Sequence, residues 1–250
     1  MFSFQFASDL HIEIYDNNID PLDYITPTAD ILILAGDIGS LYKFDQLYNF
    51  INDLSVYFKY ILYVPGNHEY YMLNNYSSIN MNMLKNRLTQ LSQKINNLII
   101  MDKNSVVIDD VCIAGCTLWS NPECTIPKFI VKIKGINTDI YKKYHQDDLS
   151  YINKMITYCE EKKYKLIMIT HYPPTYKVLS NTKKRKKFIS LYVNNMDNIL
   201  DEKKINTWIC GHVHSNFDFN SPNNCRIVSN QKGKPKDKIQ DYKKNFMIKF

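Results

Sequence analysis

Tyr60-Ile61-Leu62-Tyr63-Val64-Pro65-Gly66-Asn67-His68-Glu69 is the stretch on which the reading of this chain turns. Five apolar-to-aromatic residues with strand character run into a Pro-Gly turn. Asn, His and Glu follow at once, side chains that bind metals or carry protons. The same order recurs four more times. Residues 2–7 lead into Ser8-Asp9-Leu10-His11, residues 31–35 into Gly36-Asp37, residues 166–169 into Thr170-His171, and residues 207–210 into Gly211-His212-Val213-His214. Five of the six histidines lie in these places. In an open α/β sheet the carboxyl ends of the strands gather at one edge, where ligands bind. One metal centre built from five strand ends is the simplest explanation. A carboxylate-rich centre for two metals is used mainly in phosphate ester chemistry.

Working outward, residues 44, 47, 51, 54 and 58 are apolar at helical spacing, as are 81, 84, 88, 91 and 95, and again 149, 152, 156 and 159. Asp147 and Asp148 are expected to cap the last of these helices, which would start near Leu149. Short apolar runs lie at 98–101, 106–108 and 111–114, and Asp109-Asp110 between the last two marks a hairpin. Strand–helix–strand–helix, a hairpin region and strand–helix–strand suggest layered α/β structure with mixed sheets. The motifs run from Asp9 to His214, so a boundary between two domains would cut the site apart; one domain over residues 1–250 is expected. Residues 118–146 and 173–190 lack clear periodicity and are expected as loops on the rim of the site. The lysine-rich tail at 233–244 is expected on the surface.

Composition narrows the classes. With 45% hydrophobic residues, the chain fits a globular protein and not a disordered one. Its six cysteines form no C-x-x-C pair, so neither a zinc ribbon nor a disulfide framework is indicated. No basic and apolar leader opens the sequence and no run reaches membrane-spanning length. A cytoplasmic location with no membrane partner is the expectation. The net charge of +6 comes from lysine, since there are only three arginines. It could steer an anionic substrate; the favoured reading is a lysine-rich coding bias, as Asn, Ile and Tyr are abundant too.

A bridged pair of metals needs a group that offers oxygen to both, and Asp37 at its strand end is the natural bridge. Asp9 and His11 lie two apart, as do His212 and His214. On an extended chain each pair would point the same way. Imidazole and carboxylate together suit zinc, iron or manganese, and Asn67 adds a neutral oxygen.

Here the residues reach a known family. The chain resembles the calcineurin-like metallophosphoesterases, whose pattern is D-x-H, G-D, G-N-H-[DE], H and G-H-x-H. All five blocks are present in order, from Asp9 to His214. The resemblance implies a four-layer α/β/β/α sandwich with two mixed β-sheets. It implies that Asp9, His11, Asp37 and His214 hold one metal, and that Asp37, Asn67, His171 and His212 hold the other. His68 would not ligate metal but would donate a proton to the leaving oxygen or a hydrogen bond to the phosphoryl group. Glu69 would be a supporting residue. The reaction implied is hydrolysis of a phosphate ester by a hydroxide bridging the two metals, whose pKa falls towards about 7 between cations roughly 3.5–4 Å apart. The G-H-x-H form matches the branch similar to cyclic-nucleotide phosphodiesterases, which favours phosphodiesters.

One departure is informative. Serine/threonine protein phosphatases extend the second block to G-D-x-V-D-R-G, with the arginine clamping phosphate. This chain reads Gly36-Asp37-Ile38-Gly39-Ser40, which argues against that class. A substrate clamp would have to use lysine, asparagine or backbone. The expected partner is a small phosphorylated molecule, nucleotides included. A phosphomonoesterase and a nuclease are alternatives on the same site, and a non-catalytic scaffold would be expected to have lost ligands this chain keeps. Lys183-Lys184-Arg185-Lys186-Lys187 could be a nucleic-acid patch or a solvated loop. Tyr70, Tyr71, Trp119, Tyr172 and Tyr176 could stack on a base or simply fill the core. His145 falls outside every block and is expected on the surface.

Overall fold

Ile31–Ala35 reads Ile-Leu-Ile-Leu-Ala and every residue of it is buried, the unbroken apolar run of a strand covered on both faces. In the computed structural model, which describes residues 3–15, 19–73, 79–179, 186–200, 202 and 204–249, this strand is the centre of the first sheet. In chain order the strands are β1 (Ser3–Ala7), β2 (Ile31–Ala35), β3 (Tyr60–Val64), β4 (Leu98–Ile100), β5 (Asn104–Ile108), β6 (Val111–Cys116), β7 (Lys165–Thr170), β8 (Thr207–Ile209), β9 (Asp218–Asn220), β10 (Arg226–Val228) and β11 (Met247–Lys249). The first sheet has the order β11-β1-β2-β3-β4 and the second β5-β6-β7-β8-β10-β9. β1 to β4 are parallel, with β11 antiparallel at the edge. In the second sheet β6, β7, β8 and β10 are parallel, and β5 and β9 are antiparallel edges.

The alternation of side chains sorts the layers. Phe4, Phe6, Ile31, Ile33, Leu62 and Val64 of the first sheet pack in one cluster with Ile113, Ile167, Ile169, Ile209 and Val228 of the second. The opposite face of the first sheet, with Leu32, Leu34 and Ile61, packs on Leu47, Phe50, Ile51 and Leu54 of α1 (Phe44–Ser55) and Leu84, Leu88 and Leu91 of α2 (Met81–Lys94). Cys112, Ala114, Leu166, Met168 and Trp208 on the outer face of the second sheet meet Ile152, Met155, Ile156 and Cys159 of α3 (Thr138–Lys162). The fold is therefore the α/β/β/α sandwich with two mixed sheets. Among the described residues no helix is long and apolar enough to cross a membrane.

α3 corrects the sequence reading. It starts at Thr138, capped by the Asn137 side chain on the Ile140 amide, and not near Leu149. Residues 138–146, expected in a loop, are its first turns. Asp148 is no cap: it lies mid-helix, 1% exposed, accepting from the Trp119 amide at 3.1 Å and from Lys103 at 3.2 Å. His145 is buried, its Nδ1 2.7 Å from the Trp119 carbonyl. A helix that buries polar residues against a loop hides its apolar period. Within 173–190, residues Tyr176–Leu179 are one short 3-10 turn and another begins at Lys186. The side chains of the basic run at 183–187 lie outside the described residues.

Candidate metal centre

The parallel strands bring five carboxyl ends to one rim. The loop after β1 is laced to the loop after β2, with Asp9, His11 and Ile12 amides donating to the Gly36, Asp37 and Ile38 carbonyls at 2.9, 3.0 and 2.9 Å. In the second sheet the Gly211 amide donates to the His171 carbonyl at 2.9 Å, joining the ends of β7 and β8. The backbone leaves the extended region where the donors begin: φ is +53° at Asp9, +50° at His11, +54° at Asp37, +70° at His212 and +51° at His214. Left-handed backbone costs about 1–2 kcal/mol for each non-glycine residue. Asp9 and His11 therefore meet because the chain turns sharply, not because an extended chain sets them on one side. Glycine is needed at two close approaches. A Cβ on Gly66 would lie 2.6 Å from the Asp37 nitrogen, and one on Gly211 would lie 2.7 Å from Ser8 Oγ.

Three groups of donors converge: Asp9, His11 and His214; His11, Asp37 and His68; and Asp37, His171 and His212. Asp37 faces both sides, with Oδ1 3.3 Å from His171 Nε2 and Oδ2 3.8 Å from His11 Nε2. Asn67 Oδ1 is 3.0 Å from His171 Nε2. His212 Nδ1 lies 3.2 Å from that same His171 nitrogen, and the His212 amide donates to both Asp9 oxygens.

The outer partners of the histidines decide which nitrogen carries the proton, and the result fits metal ions. His171 Nδ1 is 3.0 Å from the Ala35 carbonyl, which can only accept, so Nδ1 donates and, whenever the ring is neutral, Nε2 carries the lone pair. That lone pair faces the oxygens of Asn67 and Asp37. His214 Nδ1 donates to Asp237 Oδ2 at 2.6 Å, and His11 Nδ1 to Glu13 Oε1 at 3.1 Å. With both rings neutral their Nε2 lone pairs face each other at 3.0 Å, and Asp9 Oδ1 lies 3.3 Å from His214 Nε2, where it favours a proton in the metal-free protein. Lone pairs aimed at one another repel; a cation among them converts repulsion into coordination, and an outer acceptor on each ring is the usual accompaniment of a metal-ligating histidine.

The electrostatics agree. Burial opposes ionisation of Asp9 and Asp37, yet His214 and His171 hold Asp9 below the usual carboxylate range, and His171 and His68 hold Asp37 well below it. Burial likewise opposes a charge on His171, but the facing Asp37 carboxylate pushes its pKa up to about 9. That proton occupies the place a metal would take.

Glu69 lies under the rim. Buried beneath it, its carboxylate accepts from the amides of Asp37 at 3.0 Å, Ile38 at 2.8 Å and Gly66 at 2.8 Å, and from the Tyr63 hydroxyl at 2.6 Å. One side chain thus fixes the loops after β2 and β3 together. Burial and the neighbouring Asp37 charge push its pKa up to about 8.

Three site residues escaped the sequence reading. Glu13 Oε1 takes both His11 Nδ1 and His68 Nδ1, the latter at 3.2 Å. Asp237 orients His214. Lys234 Nζ sits 3.1 Å from His68 Nε2. The last two belong to the tail expected on the surface; most of it is exposed, but residues 231–237 also run along the rim, held by a Ser8–Gln231 bridge and by the His214 amide on Gln231 Oε1 at 2.7 Å. Glu13 does carry a signal, the alternating Asp9-x-His11-x-Glu13. His68 itself donates its amide to Asp37 Oδ1 at 2.7 Å, and Tyr71 packs on its ring with centroids 4.7 Å apart. Tyr70, Trp119 and Tyr172 are buried against one another and are closed to a base.

Comparison with known proteins bears directly on this geometry. The model of the family described as calcineurin-like phosphoesterase matches residues 2–216. The chain belongs to the calcineurin-like phosphoesterase family. An uncharacterised protein of Acanthamoeba polyphaga mimivirus is 31% identical to this family member over 260 residues, covering 92% of this chain and 90% of the relative. Among solved structures, a phosphopantetheinyl hydrolase from Mycobacterium tuberculosis superposes with a TM-score of 0.72 at 16% identity, covering 94% of this chain and 90% of that one. A dimetal phosphatase from Danio rerio gives 0.55 at 12% identity, over 91% and 86%. At such identities the likeness shows the shared fold. The family match ends at residue 216, so Lys234 and Asp237 of this phosphoesterase lie outside it.

Proposed function

We propose that this phosphoesterase uses two metal ions, manganese, iron or zinc, and prefers phosphodiesters of small molecules, nucleotides included. Asp9, His11, Asp37 and His214 would hold one ion, and Asp37, Asn67, His171 and His212 the other. The observation that carries the reading is the convergence of donor groups that overlap at His11 and Asp37; His68 belongs to one of these groups, and we assign it to the substrate rather than to a metal. Two cations bound there would lower the pKa of a coordinated water to about 7 and offset phosphoryl charge in an in-line displacement. The protein's own part is positional. Glu69 fixes the Asp37 and Gly66 loops, and Glu13 sets the His68 ring edge-on to His11. His68 then stands as the proton or hydrogen-bond donor to the phosphoryl group or leaving oxygen, a role worth about 10²- to 10⁴-fold. Charge favours the diester: Lys234 brings a single ammonium to the motif side chain His68, and a diester's single negative charge needs less compensation than a monoester dianion.

Hydrolysis of bis(p-nitrophenyl) phosphate and p-nitrophenyl phosphate, side by side in manganese and after chelation, tests this. Manganese-dependent turnover of the diester with a higher kcat/KM supports the reading. Turnover of the monoester alone moves the assignment to phosphomonoesterase.

A further inference from the structure

The tail that crosses the rim carries a cation aimed at the reacting position. Lys234 follows Gly233, whose φ of +69° turns the chain inward. The turn is braced without the lysine side chain: the Lys234 amide donates to Asp237 Oδ2 at 2.9 Å and the Lys232 amide to the Ser8 carbonyl at 3.1 Å. The ammonium is therefore presented by a fixed backbone. An ammonium only donates hydrogen bonds, so at 3.1 Å His68 Nε2 accepts, and the His68 proton lies on Nδ1 towards Glu13. In this arrangement the hydrogens facing the site from that side belong to Lys234.

Among the described residues, four other cations are engaged elsewhere. Arg87 is spent on the Leu41 carbonyl at 2.6 Å, Arg226 on Asp218, Lys43 on the Glu13 and Tyr15 carbonyls, and Lys232 over the Tyr24 ring. The second motif block holds no arginine at the position where protein phosphatases keep their clamp. A neutral histidine nitrogen is a weaker partner for an ammonium than a phosphate oxygen, because only the phosphate adds the attraction of an opposite charge.

We propose that Lys234 is the substrate-anion residue of this site. Its ammonium passes from His68 Nε2 to a non-bridging phosphoryl oxygen when substrate binds, which leaves the His68 nitrogen free to take up a proton from solvent. The chemical class it selects is a phosphoryl oxyanion, and the proposal rests on the phosphoesterase reading above.

The test is the affinity of the manganese-loaded protein for inorganic phosphate, by calorimetry, with Lys234→Met and Lys234→Arg beside the parent. Loss of one charge-assisted contact should weaken phosphate binding about 10- to 100-fold in Lys234→Met, with arginine restoring most of it. Manganese stoichiometry and melting temperature should stay unchanged, as the turn is held by backbone and Asp237. Phosphate affinity of Lys234→Met within about twofold of the parent would overturn the proposal, even if kcat fell, because a lysine that only orients His68 touches turnover and not anion binding. A parent that binds no phosphate would overturn it as well. A parent that binds phosphate through Lys234 yet hydrolyses neither ester would sink the phosphoesterase reading and leave the anion site standing.

Discussion

Replacing Glu13 with glutamine should uncouple two histidines and change how the metal-free protein responds to acid. Glu13 is 7% exposed, and burial alone would raise its pKa. Hydrogen bonds from the His11 and His68 rings, and the charge those rings carry when protonated, more than reverse that and lower it from 4.5 to about 2. A group whose pKa is depressed in the folded state contributes stability that is fully present above its unfolded value and is lost as pH falls through the folded one. The depression corresponds to about 3 kcal/mol of preference for the ionised carboxylate, a large share of the 5–15 kcal/mol typical of a whole domain. Glutamine imitates the protonated acid. In chelator-treated protein, Glu13→Gln should therefore lose about 3 kcal/mol at pH 7 in urea unfolding, and the gap to the parent should narrow steadily below pH 4.5. Glutamine's oxygen can still accept from both rings, so the fold and metal stoichiometry should survive. A gap that stays constant from pH 7 to pH 3.5 would refute the claim that the carboxylate charge, held by two imidazoles, is what stabilises this corner.

Glu69→Gln should lower stability by about 1–3 kcal/mol, because an amide nitrogen in place of one oxygen leaves a buried backbone N–H of the rim without an acceptor; an unchanged urea midpoint would remove Glu69 as the clasp between the β2 and β3 loops. Asp237→Asn should weaken manganese binding about 10- to 100-fold, since an amide can donate to His214 Nδ1 and so move the ring proton onto the nitrogen that faces Asp9. Isothermal titration reads this directly, and parental affinity would show that Asp237 does not set the tautomer.

The fold was legible because parallel strands covered on both faces have to be written as apolar runs, as at Ile31–Ala35 and Lys165–Thr170. The motif residues were legible because each follows such a run. What the sequence hid depends on tertiary closure. Asp148 imitates a cap but neutralises Lys103 inside a helix that began eleven residues before Leu149. Lys234 and Asp237 sit in a segment whose composition is that of a solvated tail. They reach the rim because β11 pairs with β1, Met247 opposite Gln5, and the Gln5 amide also holds the Lys244 carbonyl at 2.8 Å. No local pattern announces a contact across 166 positions, the separation of Lys234 from His68.

The most direct test of the central claim is a manganese titration of chelator-treated protein, following bound metal and diester hydrolysis together in the parent and in His68→Ala. The account predicts saturation at two ions per chain in both proteins, with turnover rising alongside the ions in the parent and about 10²- to 10⁴-fold lower in the variant. Two bound ions with equal turnover in both proteins would contradict the role given to His68, and turnover that survives full chelation would contradict the metal centre itself.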